Sequence, residues 1–176
     1  ICERIAQIRV GQARQYALAG VDILRLGDDI VSQQGLMFSK ELYNTYFKPR
    51  IKRIVAAAKE VNPDIIIFMH SCGKIEGMID ELIDAGVEVL NPVQPECNDQ
   101  QAIKRTYGDR LSFWGGVGVQ AVLPHATPDE VRAATRKTIV TLGPENGFLV
   151  APAHILDPAT PWENIEAFIE TVKEQR

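Results

Sequence analysis

Apolar positions along the chain alternate between helical spacing and short unbroken runs, and the order of these two patterns predicts the architecture. Ile5, Ile8, Ala13, Tyr16 and Ala17 recur at helical intervals, so Ile1 to Leu18 reads as a helix. After Gly20, the run Val21 to Leu26 reads as a strand that ends in Gly27-Asp28-Asp29. Ser39 is a plausible N-cap for a helix over Glu41 to Phe47, and Pro49 suits the first turn of a second helix that Asn62-Pro63 stops after Val61. Ile65 to Met69 is an unbroken apolar run of strand character, closing in His70-Ser71-Cys72-Gly73. Ile75, Met78, Ile79, Leu82 and Ile83 then return to helical spacing.

The same alternation continues to the end of the chain. Val87 to Leu90 reads as a strand that runs into Asn91-Pro92-Val93-Gln94-Pro95, and a polar helix leads to Tyr107. Leu111 to Trp114 reads as a fourth strand, ending in Gly115-Gly116. Thr127-Pro128-Asp129-Glu130 has the capping-box pattern of a helix start, and that helix reaches Leu142. Gly147 to Pro152 is the fifth strand, and a last helix runs from Trp162 to about Glu174. Five strands separated by helices predict a parallel sheet, because each crossover must return the chain to the same edge direction. No Gly-rich dinucleotide fingerprint follows the first strand, which weakens the open doubly wound alternative to a (β/α)8 TIM barrel.

Composition narrows the function classes. The chain has 176 residues, 45% of them hydrophobic and 24% charged, with a formal net charge of −4. That is material for one globular domain over 1–176, without the clustered basic charge that a nucleic-acid binder needs. No apolar run approaches membrane-spanning length. Three cysteines without disulfide-like spacing predict a reducing, cytoplasmic setting with free thiols. The first residue is Ile1 and the chain opens in a helix, so the sequence reads as part of a longer polypeptide.

Chemistry concentrates at strand ends. His70 and Cys72, two residues apart, are expected to point to the same side at the exit of a parallel strand, where α/β folds place their active sites. Imidazole and thiolate are both good zinc ligands, and a third donor must come from elsewhere. His154, beyond the fifth strand, is one candidate, Cys97 a second, and a residue outside this sequence a third. Asp28 and Asp29 leave the first strand where a general acid or base would be useful, and at least one of them is expected in the site, the alternative being a turn pair that stabilises the following segment. Gln94 and Trp114 are candidates for lining a substrate pocket. Gly115 and Gly116 permit close backbone approach, by a ligand or by packing. Cys2 reads as a packing residue and His125 as a solvated loop residue.

Gly27-Asp28-Asp29, His70-Ser71-Cys72-Gly73, Asn91-Pro92-Val93-Gln94-Pro95, Gly108 to Gly116, Ala151-Pro152-Ala153-His154 and Pro161 to Ile165 together resemble the uroporphyrinogen decarboxylase superfamily over essentially the whole chain. The resemblance implies a TIM barrel about twice this long, of which this chain would be the C-terminal portion with about five βα repeats. At His70-Ser71-Cys72 the chain is similar to the branch of corrinoid-linked methyltransferases that bind zinc through a His-x-Cys pair and a later cysteine. That later cysteine is absent here, where the chain reads Ala151-Pro152-Ala153-His154, and His154 in its place would preserve a three-ligand site with one open position. A second departure is Gly118, where relatives usually carry an aspartate.

The resemblance therefore implies a zinc-dependent methyl or alkyl transferase acting on a small molecule, with a corrinoid carrier protein as partner and a homo-oligomer compatible with it. Its sites would be catalytic Asp28, Asp29 and His154, substrate-binding Gln94, Trp114 and Gly116, and metal-binding His70, Cys72 and His154. The alternative within the superfamily is uroporphyrinogen decarboxylase, a metal-free lyase of porphyrin biosynthesis. A third possibility is a binding module that holds a corrinoid or a metal without turnover.

Overall fold

The computed structural model describes residues 1–145 and 147–174, and within them the chain has an α/β fold built on a five-stranded parallel sheet. In chain order the elements begin with α1 (Cys2–Leu18), β1 (Ile23–Gly27), β2 (Val31–Ser32) and β3 (Gly35–Leu36). Then come α2 (Lys40–Leu42), a π-helical segment (Tyr43–Phe47), α3 (Lys48–Lys59) and β4 (Ile66–His70). A 3-10 turn (Glu76–Met78), α4 (Ile79–Asp84) and β5 (Val89–Asn91) follow. The remainder is α5 (Gln100–Tyr107), β6 (Ser112–Val117), α6 (Val122–His125), α7 (Pro128–Leu142), β7 (Phe148–Pro152) and α8 (Trp162–Lys173). Strand order in the sheet is β1-β4-β5-β6-β7, while β2 and β3 form a separate antiparallel hairpin.

The contacts divide the chain into two compact units, Ile1–Leu90 and Asn91–Arg176. In the first, β1 and β4 pair in parallel from Ile23 opposite Ile66 to Gly27 opposite His70, which brings the two strand exits level. Leu24, Ile65 and Ile67 are buried there against Ala13, Ala17, Val55 and Ala58. Burying each Ile or Leu side chain contributes roughly 1.5–3 kcal/mol before entropy is counted. In the second unit, β6 and β7 pair from Phe113 opposite Phe148 to Val117 opposite Pro152. Val117, Leu123, Val131 and Ala167 form its core.

Several sequence expectations shift. In α1 the buried positions are Ala6, Ala13 and Ala17, whereas Ile5, Ile8 and Tyr16 are exposed. The small face of that helix lets it lie close against α3, and its larger apolar groups project outward. Cys2, expected to pack, is exposed. The two helices expected over Glu41–Phe47 and Pro49–Val61 form one helical run, from α2 through the π-helical Tyr43–Phe47 into α3. Ser39 does cap its start, its Oγ accepting from the Leu42 N–H at 3.1 Å. The fourth strand extends past Trp114 through Gly115 and Gly116 to Val117. His125 belongs to the short helix α6 and is exposed. Among the described residues, no helix is long and apolar enough to cross a membrane.

Candidate functional site

In the first unit the local chain path makes a compact chemical site out of two level strand exits. His70 ends β4, and Cys72 lies beyond the strand, yet His70 Nε2 and Cys72 Sγ approach to 3.5 Å. Both residues are half-buried. The approach is set by the segment after β1. Asp29 Oδ1 accepts a hydrogen bond from the Cys72 N–H at 2.8 Å, Ser71 Oγ accepts one from the Ile30 N–H at 3.2 Å, and the Asp28 N–H donates to the His70 carbonyl at 3.2 Å. Gly73 completes the turn at φ +100°. A Cβ there would stand 2.7 Å from the Ser32 carbonyl oxygen, so only glycine lets the hairpin lie this close. The Lys74 N–H then donates to that same oxygen at 2.9 Å.

The two aspartates both border the larger cavity but differ in their hydrogen-bond partners. Asp29 is committed to the Cys72 backbone and so acts on the thiol's position. Asp28 lies between two cavities of about 270 and 360 Å³, which it shares with Arg9. Its residue surface is exposed, but protein displaces part of the water around the carboxyl. This desolvation pushes its pKa above the ordinary carboxylate value, opposed by the Arg9 charge and reinforced by Asp29. The larger cavity also meets Phe38, Tyr43, Phe47 and Arg50. Tyr43, which sequence reasoning did not single out, is fully buried and stacks with Phe38 and Phe47 at ring separations of 6.4 and 6.2 Å. Its hydroxyl has no hydrogen-bond partner among the described residues, and burial, then the charges of Glu81, Asp28 and Asp84, hold its pKa well above the ordinary range. The π-helical turn that carries it gives no signal in apolar spacing.

In the second unit, His154 follows β7 and is exposed, beyond an Ala153 N–H that donates to the Val117 carbonyl at 2.7 Å. Gln94 is buried, and its carbonyl accepts from Asn98 Nδ2 at 2.8 Å. Cys97 is half-buried beside it, with Asn98 Nδ2 at 3.5 Å from its sulfur. Trp114 is half-buried, its carbonyl accepting from Asn91 Nδ2 at 2.7 Å. Gly116 adopts φ +88°, and the space a Cβ would need is taken by Thr138 Cγ2 at 2.7 Å and Leu142 Cδ1 at 3.0 Å. Its close approach is to α7. Gly115, at φ +122°, backs in the same way onto the Pro92 carbonyl oxygen at 2.9 Å.

The donor set in the first unit fits a tetrahedral metal. With Zn–N near 2.0–2.1 Å and Zn–S near 2.3 Å, two ligands at a tetrahedral angle stand about 3.6 Å apart. His70 Nε2 and Cys72 Sγ are 3.5 Å apart. Asp29, fixing the Cys72 backbone, is the type of neighbour that orients a metal ligand.

Known proteins give these observations a context. The chain is 24% identical over 161 residues to the methylcobamide:CoM methyltransferase MtaA of Methanosarcina barkeri, covering 91% of this chain and 44% of that protein. It is 20% identical over 177 residues to a uroporphyrinogen decarboxylase of Coxiella burnetii, covering 98% of this chain and 46% of that one. Among solved structures, a methyltransferase from Methanosarcina mazei superposes with a TM-score of 0.76 at 21% identity, over 97% of this chain and 47% of the other, and so shares its fold. The chain thus spans about half the length of the curated relatives it matches. The family model for uroporphyrinogen decarboxylase (URO-D) matches residues 1–175, and the chain belongs to that family.

Proposed function

We propose that this chain carries the metal-binding half of a zinc-dependent methyltransferase, which moves a methyl group between a corrinoid carrier protein and a thiol or methylated small molecule. The observation that carries the reading is the 3.5 Å approach of His70 Nε2 to Cys72 Sγ at the exit of β4. Two ligands do not complete a catalytic zinc shell, so a third protein donor is required, which leaves one coordination position open. Zinc held by His70, Cys72 and that third donor would supply Lewis acidity, lowering the pKa of a thiol at the open position.

The chain's own residues then have defined tasks. Asp29 holds the Cys72 backbone so that the sulfur faces the imidazole. Asp28, with the raised pKa of a partly desolvated carboxyl, is assigned as the group that exchanges a proton with substrate. Gln94 and Trp114 are assigned to the pocket wall, and Gly116 to bringing that wall against α7. The similarity to methylcobamide:CoM methyltransferases supports a corrinoid as the methyl carrier.

The test is methyl transfer from methylcobalamin to a series of thiols by the full-length protein. His70→Ala and Cys72→Ser should each lower kcat/KM by at least about 100-fold, in the range lost when a group stabilising the transition state is removed. Unchanged rates in both variants would end this reading. The second reading, metal-free tetrapyrrole decarboxylation, is supported by the similarity to the Coxiella burnetii decarboxylase. Formation of coproporphyrinogen from uroporphyrinogen, undiminished by Cys72→Ser, would establish it instead.

A further inference from the structure

The larger of the two cavities beside Asp28, about 360 Å³, is bordered only by residues of the first unit. Its wall is mostly apolar, with Ile51 and Ile54 of α3 joined by a patch in which Phe38, Tyr43 and Phe47 stack, Phe38 and Phe47 at 5.0 Å between ring centres. The polar groups on that wall are few, and several lack protein partners. Tyr43 is fully buried and its hydroxyl has no hydrogen-bond partner among the described residues. Arg9 makes one side-chain hydrogen bond, to Gln12 Oε1 at 2.9 Å, and no ion pair among the described residues. Arg50 adds a second guanidinium, whose buried Nε is likewise unpartnered among them, while its Nη groups reach the Tyr46 carbonyl and the Glu3 carboxylate. Asp29 is engaged by the Cys72 N–H, which leaves Asp28 as the uncommitted carboxylate. A concave space of a few hundred Å³, lined by apolar groups with a few placed polar ones, is the form that small-molecule sites take.

We propose that this cavity binds a small molecule with a hydrocarbon or aromatic body and one carboxylate, the body against the Phe38–Tyr43–Phe47 patch and the carboxylate on Arg9 and the Tyr43 hydroxyl. Donors without protein partners outnumber the uncommitted acceptor there, so a head rich in acceptors fits. A guanidinium holds a carboxylate in charge-assisted hydrogen bonds, and a buried phenol donates its O–H in the neutral form. Asp28 opposes an anion, which fixes the sign of its effect. Neither His70 nor Cys72 borders the cavity, so the inference stands apart from the metal reading.

Two measurements on the full-length protein test it. In the first, 3-phenylpropanoate, 3-phenylpropanamide and 3-phenylpropylamine, which share a body and differ in the head, are titrated with binding followed by ligand-observed NMR. Wild type should bind the carboxylate at least about threefold tighter than the amide, the scale of one partly exposed charge interaction, and the amine most weakly. Arg9→Gln should bring carboxylate and amide close to equal. Tyr43→Phe should weaken both by about threefold or more, because the carboxylate and the amide carbonyl accept from the hydroxyl alike. Asp28→Asn should tighten the carboxylate and leave the amide unchanged. No binding of the carboxylate by wild type, an amine bound as tightly, or a carboxylate affinity indifferent to either Arg9→Gln or Tyr43→Phe overturns the proposal. Cys72→Ser should leave all three affinities unchanged, and a loss there would place the ligand at the metal site instead.

The second measurement needs no ligand. Tyr43→Phe keeps the stacked ring and removes only the hydroxyl, so its Tm should equal or exceed that of wild type, since a buried hydroxyl without a partner does not stabilise the folded state. A lower Tm would show that the fold itself satisfies this hydroxyl, and the ligand assignment would fall.

Discussion

Asp29 illustrates how a side chain can govern a site without touching a substrate. Its carboxylate accepts the Cys72 N–H at 2.8 Å, beyond the last residue of β4. Asp29→Ala should therefore weaken zinc binding by about 10- to 100-fold, as loss of a residue orienting a metal ligand does, while Cys72 itself remains. Competition with a chromogenic chelator measures this, and unaltered affinity would reduce Asp29 to a turn residue. The pairing of His70 with Cys72 was legible in the sequence, because spacing by two residues implies a shared side. Its physical support was not, since alternation formally ends at His70 and the hold on Cys72 comes from a residue 43 positions earlier. The roles of Asp28 and Asp29 were likewise undivided in sequence. Only the fold shows the Asp29 carboxylate bonded to the Cys72 backbone and Asp28 between two cavities, the larger of which Asp29 also borders.

At the scale of elements, close backbone approaches do most of the positioning. Gly73→Ala places a Cβ 2.7 Å from the Ser32 carbonyl oxygen at a φ of +100°, so it should cost about 1–3 kcal/mol in denaturant unfolding and loosen the loop bearing Cys72. Thr127→Ala removes the capping box at the start of α7, where Thr127 Oγ1 accepts from Glu130 N–H and the Glu130 carboxylate accepts from Thr127 N–H, and should cost about 1 kcal/mol. That cap was readable from Thr127 and Glu130 alone, because both partners lie within one turn.

The ion pair of Lys48 with Glu81 at 2.6 Å and with Asp84 at 2.9 Å, which ties α3 to α4, was not readable, for its members are more than thirty residues apart. Hydrogen bonding to Lys48 lowers the Glu81 pKa, so this contribution is present above the ordinary carboxylate range and is lost as pH falls through the lowered value. Lys48→Met should accordingly lower Tm at neutral pH, and the difference from wild type should shrink below about pH 4. A difference independent of pH would assign the effect to packing of the lysine stem.

For the whole molecule, the alternation of apolar runs with helical spacing was enough to predict a parallel α/β sheet, because strands covered on both faces are apolar throughout. The five sheet strands were each recognised, with ends displaced by up to three residues. The hairpin of β2 and β3 escaped notice, since strands of two residues leave no period to detect. Helix α1 shows the limit of periodicity from the other side: its recurring Ile and Tyr positions are real, but alanines form the buried face. The URO-D family and the fold it shares with a solved methyltransferase set the frame within which His70 and Cys72 acquire a chemical meaning. The most direct measurement is the zinc content of the purified full-length protein, wild type beside Cys72→Ser. The account predicts about one zinc per chain in wild type and a large loss in the variant. Zinc well below stoichiometric in wild type, or equal in both proteins, would contradict it.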